Sequence, residues 1–279
     1  VAEMAGVGTS VVKGLVKLGA VSEEEAPRDT PYPALDPDYG GKELSADQAA
    51  GADALRAALR SGSYSTTLLK GVTGSGKTEV YLEAVAECLR MGRQALVLLP
   101  EIALSGEFIN RVEARFGMKP AEWHSGVTMT ERRRCWRMVG QGDAQMVVGA
   151  RSALFLPYRD LGLIVVDEEH DTSYKQEDGV LYNARDMAVL RAAINGAQVV
   201  LASATPSLES WANADAGKYA RLALTSRFGA AVMPKMAAID MRAEDMPGGS
   251  WVSPTLRTAI QDRLEKGEQS LIFLNRRGY

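Results

Sequence analysis

The sequence predicts an α/β protein built on a parallel sheet, and three observations carry that prediction. From Leu44 onward, short continuous apolar runs alternate with longer stretches of helical period, the pattern of a parallel sheet covered on both faces. A glycine-rich loop, Gly71-Val72-Thr73-Gly74-Ser75-Gly76-Lys77-Thr78, separates one such run from one such helix. A further run, Leu163-Ile164-Val165-Val166, ends in Asp167, and open parallel sheets bind ligands beyond the carboxyl ends of their strands.

Taken in order, residues 1–21 read as two short helices about a turn at Gly6-Val7-Gly8. Thr9 or Ser10 caps the second, whose apolar positions Val11, Val12, Leu15, Val16 and Leu18 follow a helical period up to Gly19. That outline fits a helix-turn-helix and equally any small helical hairpin. Residues 22–41 hold Glu23-Glu24-Glu25, four prolines and Gly40-Gly41, a linker by composition. Strands are predicted at Thr66–Lys70, Ala95–Leu99, Met146–Gly149, Leu163–Val166 and Val199–Ser203. Helices are predicted at Thr78–Met91, Gly106–Phe116, Thr130–Gly140 and Ala184–Ile194. Near Ala231–Gly249 the pattern loosens into Pro, Gly and Met. A helix (Pro254–Lys266) and a strand (Ser270–Leu274) then begin another unit. The expected divisions are therefore 1–35, 42–230 and 231–279.

Composition sets outer limits. Of 279 residues 46% are hydrophobic and 24% charged, which excludes wholesale disorder. The longest apolar runs span only a few residues, too short for a membrane helix. Cys88 and Cys135, the two cysteines, can make neither a four-cysteine zinc site nor a disulfide framework, and they suit a reducing cytosol. Net charge is −3; residues 1–41 alone carry −4, leaving +1 for the remainder, so a nucleic-acid surface has to be a local patch. The chain opens on Val1 and closes on the apolar run Leu271 to Tyr279, so it reads as part of a longer protein.

The glycine-rich loop matches G-x-x-x-x-G-K-[ST] at every fixed position, between a strand and a helix as the motif requires. Glycines let backbone N–H groups wrap a phosphate chain, and the helix N-terminus adds a favourable dipole. Lys77 would reach the β- and γ-phosphates and Thr78 would hold Mg²⁺. Asp167 supplies the second metal ligand, while Glu168 orients and deprotonates the attacking water. His170 would link these acids to a neighbouring strand end, Val199 to Pro206, whose Ser203 and Thr205 offer hydroxyls. Taken alone, Ser203-Ala-Thr-Pro206 is equally a helix cap. Arg132-Arg133-Arg134 with Trp136-Arg137 is the most basic stretch, a solvated helix face or a nucleic-acid backbone contact.

Gly71-x-x-x-x-Gly-Lys-Thr78, Asp167-Glu-Glu-His170 and Ser203-Ala-Thr205, in that order, resemble motifs I, II and III of the superfamily 2 helicases. The resemblance extends to the bacterial replication-restart helicases among them. It is carried by Gly71 to Tyr81, Leu99-Pro-Glu-Ile-Ala-Leu104, His124-Ser-Gly126, Gly149-Ala-Arg-Ser-Ala-Leu-Phe155, Asp167 to Asp171, Ser173-Tyr-Lys-Gln176 and Phe273 to Tyr279. These residues run from about residue 44 to the end.

The resemblance implies a RecA-like lobe with ATP and Mg²⁺, preceded by a partial winged-helix segment (1–35) and followed by the start of a second RecA-like lobe. It implies a DNA-dependent ATPase moving 3′→5′ on forked and single-stranded DNA, in a bacterial cytoplasm near the nucleoid. Other primosome proteins and single-strand-binding protein would be its partners, with no membrane involved. Zinc is expected only in a segment downstream of Tyr279. Nucleotide contacts fall on Gln48, which would read adenine, and on Gly74, Ser75, Gly76, Lys77, Thr78 and Glu79. Arg151, Ser152 and the segment Glu101 to Ser105 match the single-strand contacts, at strand ends where loop amides would grip phosphates. Residues 173–183 match an aromatic loop in which Tyr174 and Tyr182 would stack on bases. Val180 and Asn183 stand where some members carry Trp and His, so the loop is less aromatic here. The alternatives are another superfamily 2 DNA translocase, or a DNA-binding module using ATP only as a switch.

Overall fold

Strand and helix alternate as the apolar pattern dictates. In the computed structural model, residues 6–22, 30–100, 106–225, 235–246 and 252–273 are described. Their strands are β1 (Ser65–Gly71), β2 (Gln94–Leu98), β3 (Ala121–Trp123), β4 (Met146–Gly149), β5 (Leu161–Asp167), β6 (Lys175–Gln176), β7 (Tyr182–Asn183), β8 (Gln198–Ser203) and β9 (Ala220–Leu224). The helices are α1 (Thr9–Lys17), α2 (Ala46–Arg60), α3 (Lys77–Arg90), α4 (Gly106–Phe116), α5 (Met129–Gln141), α6 (Ala184–Asn195), α7 (Leu208–Asp215) and α8 (Pro254–Glu265). Seven strands form one sheet in the order β3-β4-β2-β5-β8-β1-β9, with every pairing parallel, while β6 and β7 pair antiparallel. Internal contacts divide the chain into two units, 1–230 and 231–279.

Period-2 alternation builds two apolar layers. Leu69, Val97, Val165 and Val200 face Ala52 and Leu55 of α2 and Val80, Tyr81 and Val85 of α3. Leu68, Leu96, Ile164, Val166 and Leu201 face the other way, against Cys135 and Met138 of α5 and Ala188 and Ala192 of α6. Burying each large apolar side chain is worth about 1.5–3 kcal/mol, and the first six residues of β5 are all buried. That double coverage makes β5 a central strand and explains its unbroken apolar run.

Register brings the motifs together. Asp167 of β5 lies beside Ala202 of β8, and Ser203, the next residue, lies beside Lys70 of β1. Motif II, motif III and the loop that begins at Gly71 thus leave the sheet from three adjacent strands at the same edge.

Several elements differ from the sequence-based expectation. β3 and β9 are sheet-edge strands of three and five residues: β3 is too short to show a period, and the apolar run of β9 is broken by Arg221 and largely uncovered. In α1 the cap is Gly8, without a side-chain bond, so neither Thr9 nor Ser10 caps it; Gly19 follows at φ +70°. None of the α1 apolar stripe is buried, and the first helix expected there lies largely in residues 1–5, outside the described residues. The strand expected at Ser270–Leu274 is not formed over 270–273: Leu271, Ile272 and Phe273 are exposed, and a strand exists only through a ladder with a neighbour. Among the described residues no helix is long and apolar enough to cross a membrane.

Candidate functional site

The loop after β1 keeps its shape because two of its glycines occupy the left-handed region, Gly74 at φ +78° and Gly76 at φ +82°, which costs L side chains roughly 1–2 kcal/mol. A Cβ on Gly71 would collide with Ser75 Oγ, and one on Gly76 with Gln48 Nε2. Lys77 opens α3 and is buried; its Nζ donates to Gly71 O at 3.0 Å, across the mouth of the loop. Ser75 Oγ is buried and has no hydrogen-bond partner among the described residues. A loop of exposed amides, a lysine over its mouth and an unspent hydroxyl fit a phosphate chain.

Opposite it stand Asp167 and Glu168. The two carboxylates, Lys77, Thr78 and the loop glycines Gly74 and Gly76 line one cleft of about 420 Å³. Asp167 Oδ2 accepts from Tyr81 Oη at 2.9 Å and Oδ1 from Glu168 N at 3.0 Å. Burial pushes the Asp167 carboxyl above its ordinary range; the Glu168 charge adds to that push, and the Tyr81 hydroxyl and Lys77 oppose it. A divalent cation would relieve this, and Thr78 and Asp167 are the oxygen donors placed to hold one. Glu168 adopts φ +47°, uncommon for a non-glycine residue. This reversal separates neighbouring acids: Glu168 lines the cleft, whereas Glu169 is fully buried.

His170 joins motif II to motif III. Its Nδ1 lies 2.8 Å from Ser203 Oγ and 3.6 Å from Glu168 Oε2, and Ser203 Oγ accepts from Thr205 N at 3.0 Å. Ser203 Oγ thus meets the motif II histidine, while Thr205 takes part through its backbone. The acid that reaches beyond motif III is Glu169. It accepts from Ser207 N at 2.7 Å, from Ser207 Oγ at 3.0 Å and from Ser210 Oγ at 2.8 Å, with Arg185 Nη1 at 3.4 Å. Sequence reasoning did not single out Glu169, Arg185, Ser207 or Ser210; the serine at the start of α7, three residues before a second serine, was the available signal.

Gln48 is not a surface glutamine. It is the third residue of α2, its Oε1 accepts from Ser45 N at 2.9 Å in a capping box, and its Nε2 donates to Ser75 O at 2.8 Å. One amide proton and one lone pair remain for a base edge. Glu79 lines the same cleft and is paired with Lys42 at 2.9 Å. Burial acts to raise its carboxyl, but Lys42 holds it below the ordinary value.

A profile of the DEAD/DEAH box helicase family matches residues 49–214, the span that carries the loop, both carboxylates and Ser203. The chain belongs to the DEAD/DEAH box helicase family. It is 50% identical over 213 residues to replication restart protein PriA of Rickettsia felis, covering 76% of this chain and 33% of that protein. To the PriA of Bacillus subtilis it is 42% identical over 274 residues, 97% of this chain and 34% of that protein. The helicase chain thus spans about a third of the length of these curated relatives. A solved structure of RecG bound to a three-way DNA junction shares the fold, with TM-score 0.53, 18% identity, and coverage of 82% of this chain and 29% of that one.

Within this helicase-family sheet the residues expected to touch DNA divide. Arg151 opens a 3₁₀ turn (Arg151–Phe155) after β4, and its Nη1 donates to Ser173 O at 3.1 Å and to Lys175 O at 2.8 Å. It therefore pins the loop before β6. Ser152 Oγ accepts from Trp123 Nε1 at 3.1 Å and is exposed. Tyr182, on β7, is half-buried with its ring edge-on to Phe155 at 5.1 Å. Tyr174 does not fit a base-stacking role. It is 1% exposed, and its hydroxyl meets Leu98 O at 3.0 Å and Asp167 O at 2.6 Å, so it braces motif II from the core. Ser105, with the rest of residues 101–105, lies outside the described residues.

Proposed function

We propose that this chain is the ATP-binding motor lobe of a replication-restart helicase, flanked by part of a winged-helix segment (1–35) and the start of a second lobe (231–279). The observation that carries the reading is one cleft lined at once by Lys77, Thr78, Asp167 and Glu168. ATP with Mg²⁺ would supply a γ-phosphate polarised for attack by water. Lys77 would exchange Gly71 O for phosphate oxygens and neutralise their charge, and Thr78 and Asp167 would hold the cation. Glu168 would take the proton of the water that attacks the γ-phosphorus as ADP leaves, and His170 Nδ1 lies 3.6 Å from that carboxylate. His170 and Ser203 then pass the nucleotide state toward the strand ends that carry Arg151 and Ser152.

Forked and single-stranded DNA are the proposed substrates, and primosome proteins with single-strand-binding protein the proposed partners. The likeness to restart proteins named PriA supports both. Family membership implies ATP use. Motors of this kind complete the site with an arginine finger worth about 10³–10⁵ in turnover, and that group is expected from a second lobe. The test is Mg²⁺-dependent ATP hydrolysis by the chain, with and without single-stranded and forked DNA, beside Lys77→Ala. Nucleotide binding that depends on Lys77, with slow turnover, is the expected result. Binding unaltered by Lys77→Ala overturns the reading.

A further inference from the structure

Helix α5 carries Arg132, Arg133, Arg134, Trp136 and Arg137 and divides them between two sides. Arg134 is committed to the segment before α2: it pairs with Glu131 at 3.2 Å, donates to Thr30 O and lies over the Tyr32 ring at 4.1 Å. Met129, Arg133 and Trp136 instead recur at helical spacing on an open face, with Met129 63% and Trp136 54% exposed. Together with Trp123, Arg132 and Arg137 they line a groove of about 420 Å³ that has no carboxylate among its described lining residues. Arg132 is held there by His124 O at 2.7 Å and lies 5.7 Å from the centre of the Trp123 ring. Among the described residues Arg133 has no ion-pair partner.

We propose that this groove binds single-stranded nucleic acid, with Trp136 offering its face to a base and Arg132 and Arg133 reaching phosphates. The guanidinium groups of Arg132 and Arg133, two indoles and a thioether, with no acid among the described lining residues, complement a polyanion that carries flat apolar bases. The groove is also continuous with a strand end of the sheet, because Trp123, which lines it, donates to Ser152 Oγ at 3.1 Å. It thereby lengthens the track begun by Arg151 and Ser152, and so rests on the reading of that loop as a DNA contact. The continuity favours a nucleic-acid strand over an acidic peptide.

The experiment measures anisotropy of a fluorescein-labelled oligodeoxythymidylate with the whole chain and four variants. Trp136→Ala is expected to weaken binding about tenfold, the loss of one stacked base, while Trp136→Phe, which keeps a ring, stays close to the parent. Arg133→Ala is expected to flatten the log–log salt dependence by about 0.7. Nucleotide binding is unchanged in all three. If these variants bind like the parent while Arg151→Ala loses binding, the groove proposal is overturned and the strand-end reading stands. If they lose binding while Arg151→Ala keeps it, the groove is supported and the strand-end reading fails. Loss of binding to an oligoglutamate peptide alone, with DNA binding intact, assigns the groove to an acidic protein segment and overturns the proposal. A parent chain that binds no oligonucleotide overturns both.

Discussion

Tyr81 Oη donates to Asp167 Oδ2 at 2.9 Å, so the helix that starts in the phosphate loop also holds the carboxylate at the end of β5. The bond crosses from α3 to β5 beneath the cleft. A nucleotide that moves the start of α3 therefore moves the Asp167 environment with it. Tyr81 is fully buried and its hydroxyl titrates well above the ordinary value, first because of burial and then because of Asp167, so it stays protonated and donates to the carboxylate.

Tyr81→Phe removes that donor and keeps the ring. The ionised Asp167 loses a bond worth about 1.5–3 kcal/mol, which drives a carboxyl already raised by burial further up. Cation binding needs the carboxylate, so the acid limb of Mg²⁺-dependent nucleotide binding is expected to move to higher pH. Titrating a fluorescent ATP analogue against pH with both proteins tests it; superimposable limbs sink the idea.

Asp167→Asn is expected to raise stability at neutral pH while abolishing hydrolysis. The sign follows from linkage. With the folded-state pKa above the unfolded value of about 3.9, the native chain binds the extra proton between the two, and Asp167 makes stability fall as pH rises through that window. Asparagine carries no charge to desolvate, and Tyr81 can turn its hydroxyl to accept from the new amide. Thermal unfolding across pH is expected to give two curves that meet in strong acid and diverge toward neutrality, the variant melting higher. A variant that melts lower at neutral pH contradicts the argument.

Why the phosphate loop was readable and Glu169 was not is a matter of local against tertiary causes. Gly74 and Gly76 need positive φ, and only glycine supplies it cheaply, so the loop is written in its own residues. The buried β5 announces itself through an unbroken apolar run for the same reason. Motif II is different: the reversal at Glu168 sends one acid to the cleft and the next into the core, and two adjacent glutamates in a sequence carry no sign of it. Tyr174 likewise sits in a stretch of polar residues that reads as an exposed loop. The 3₁₀ turn Thr172–Tyr174 and two backbone carbonyls take its hydroxyl inward. β3 and β9 owe their existence to the strands beside them, which no local pattern encodes.

Glu169→Ala is expected to cost about 3 kcal/mol, near the low end for breaking a buried ion pair. The carboxylate is fully buried and serves Ser207, Ser210 and Arg185. Arg185 also pairs with Asp186 at 2.8 Å and Glu209 at 3.6 Å, so it is not stranded, and this limits the loss. Glu169→Gln keeps the shape and one acceptor, and is expected to lose less. Urea unfolding of the three proteins gives the order directly, and an alanine variant as stable as the parent would remove Glu169 from any structural role.

The last expectation concerns Gln48, whose amide is divided between two tasks. Its oxygen caps α2 through Ser45 N and its nitrogen steadies the phosphate loop through Ser75 O. Gln48→Glu separates them: one oxygen still accepts from Ser45 N, but the other now faces a carbonyl and brings a negative charge toward bound phosphate. Helix α2 is thus expected to hold, whereas Gln48→Ala, which loses the box as well, costs about 1 kcal/mol of stability. Nucleotide affinity of the Glu variant is expected to fall at least about tenfold, some 1.4 kcal/mol, through the disturbed loop. The spare proton and lone pair that complement an adenine edge become acceptors alone, so the preference for ATP over GTP is expected to narrow as well. Competition of the two nucleotides for one fluorescent analogue measures both effects. A uniform loss with the preference intact confines Gln48 to holding the loop, and an unaltered affinity shows that the Ser75 contact does not matter for binding.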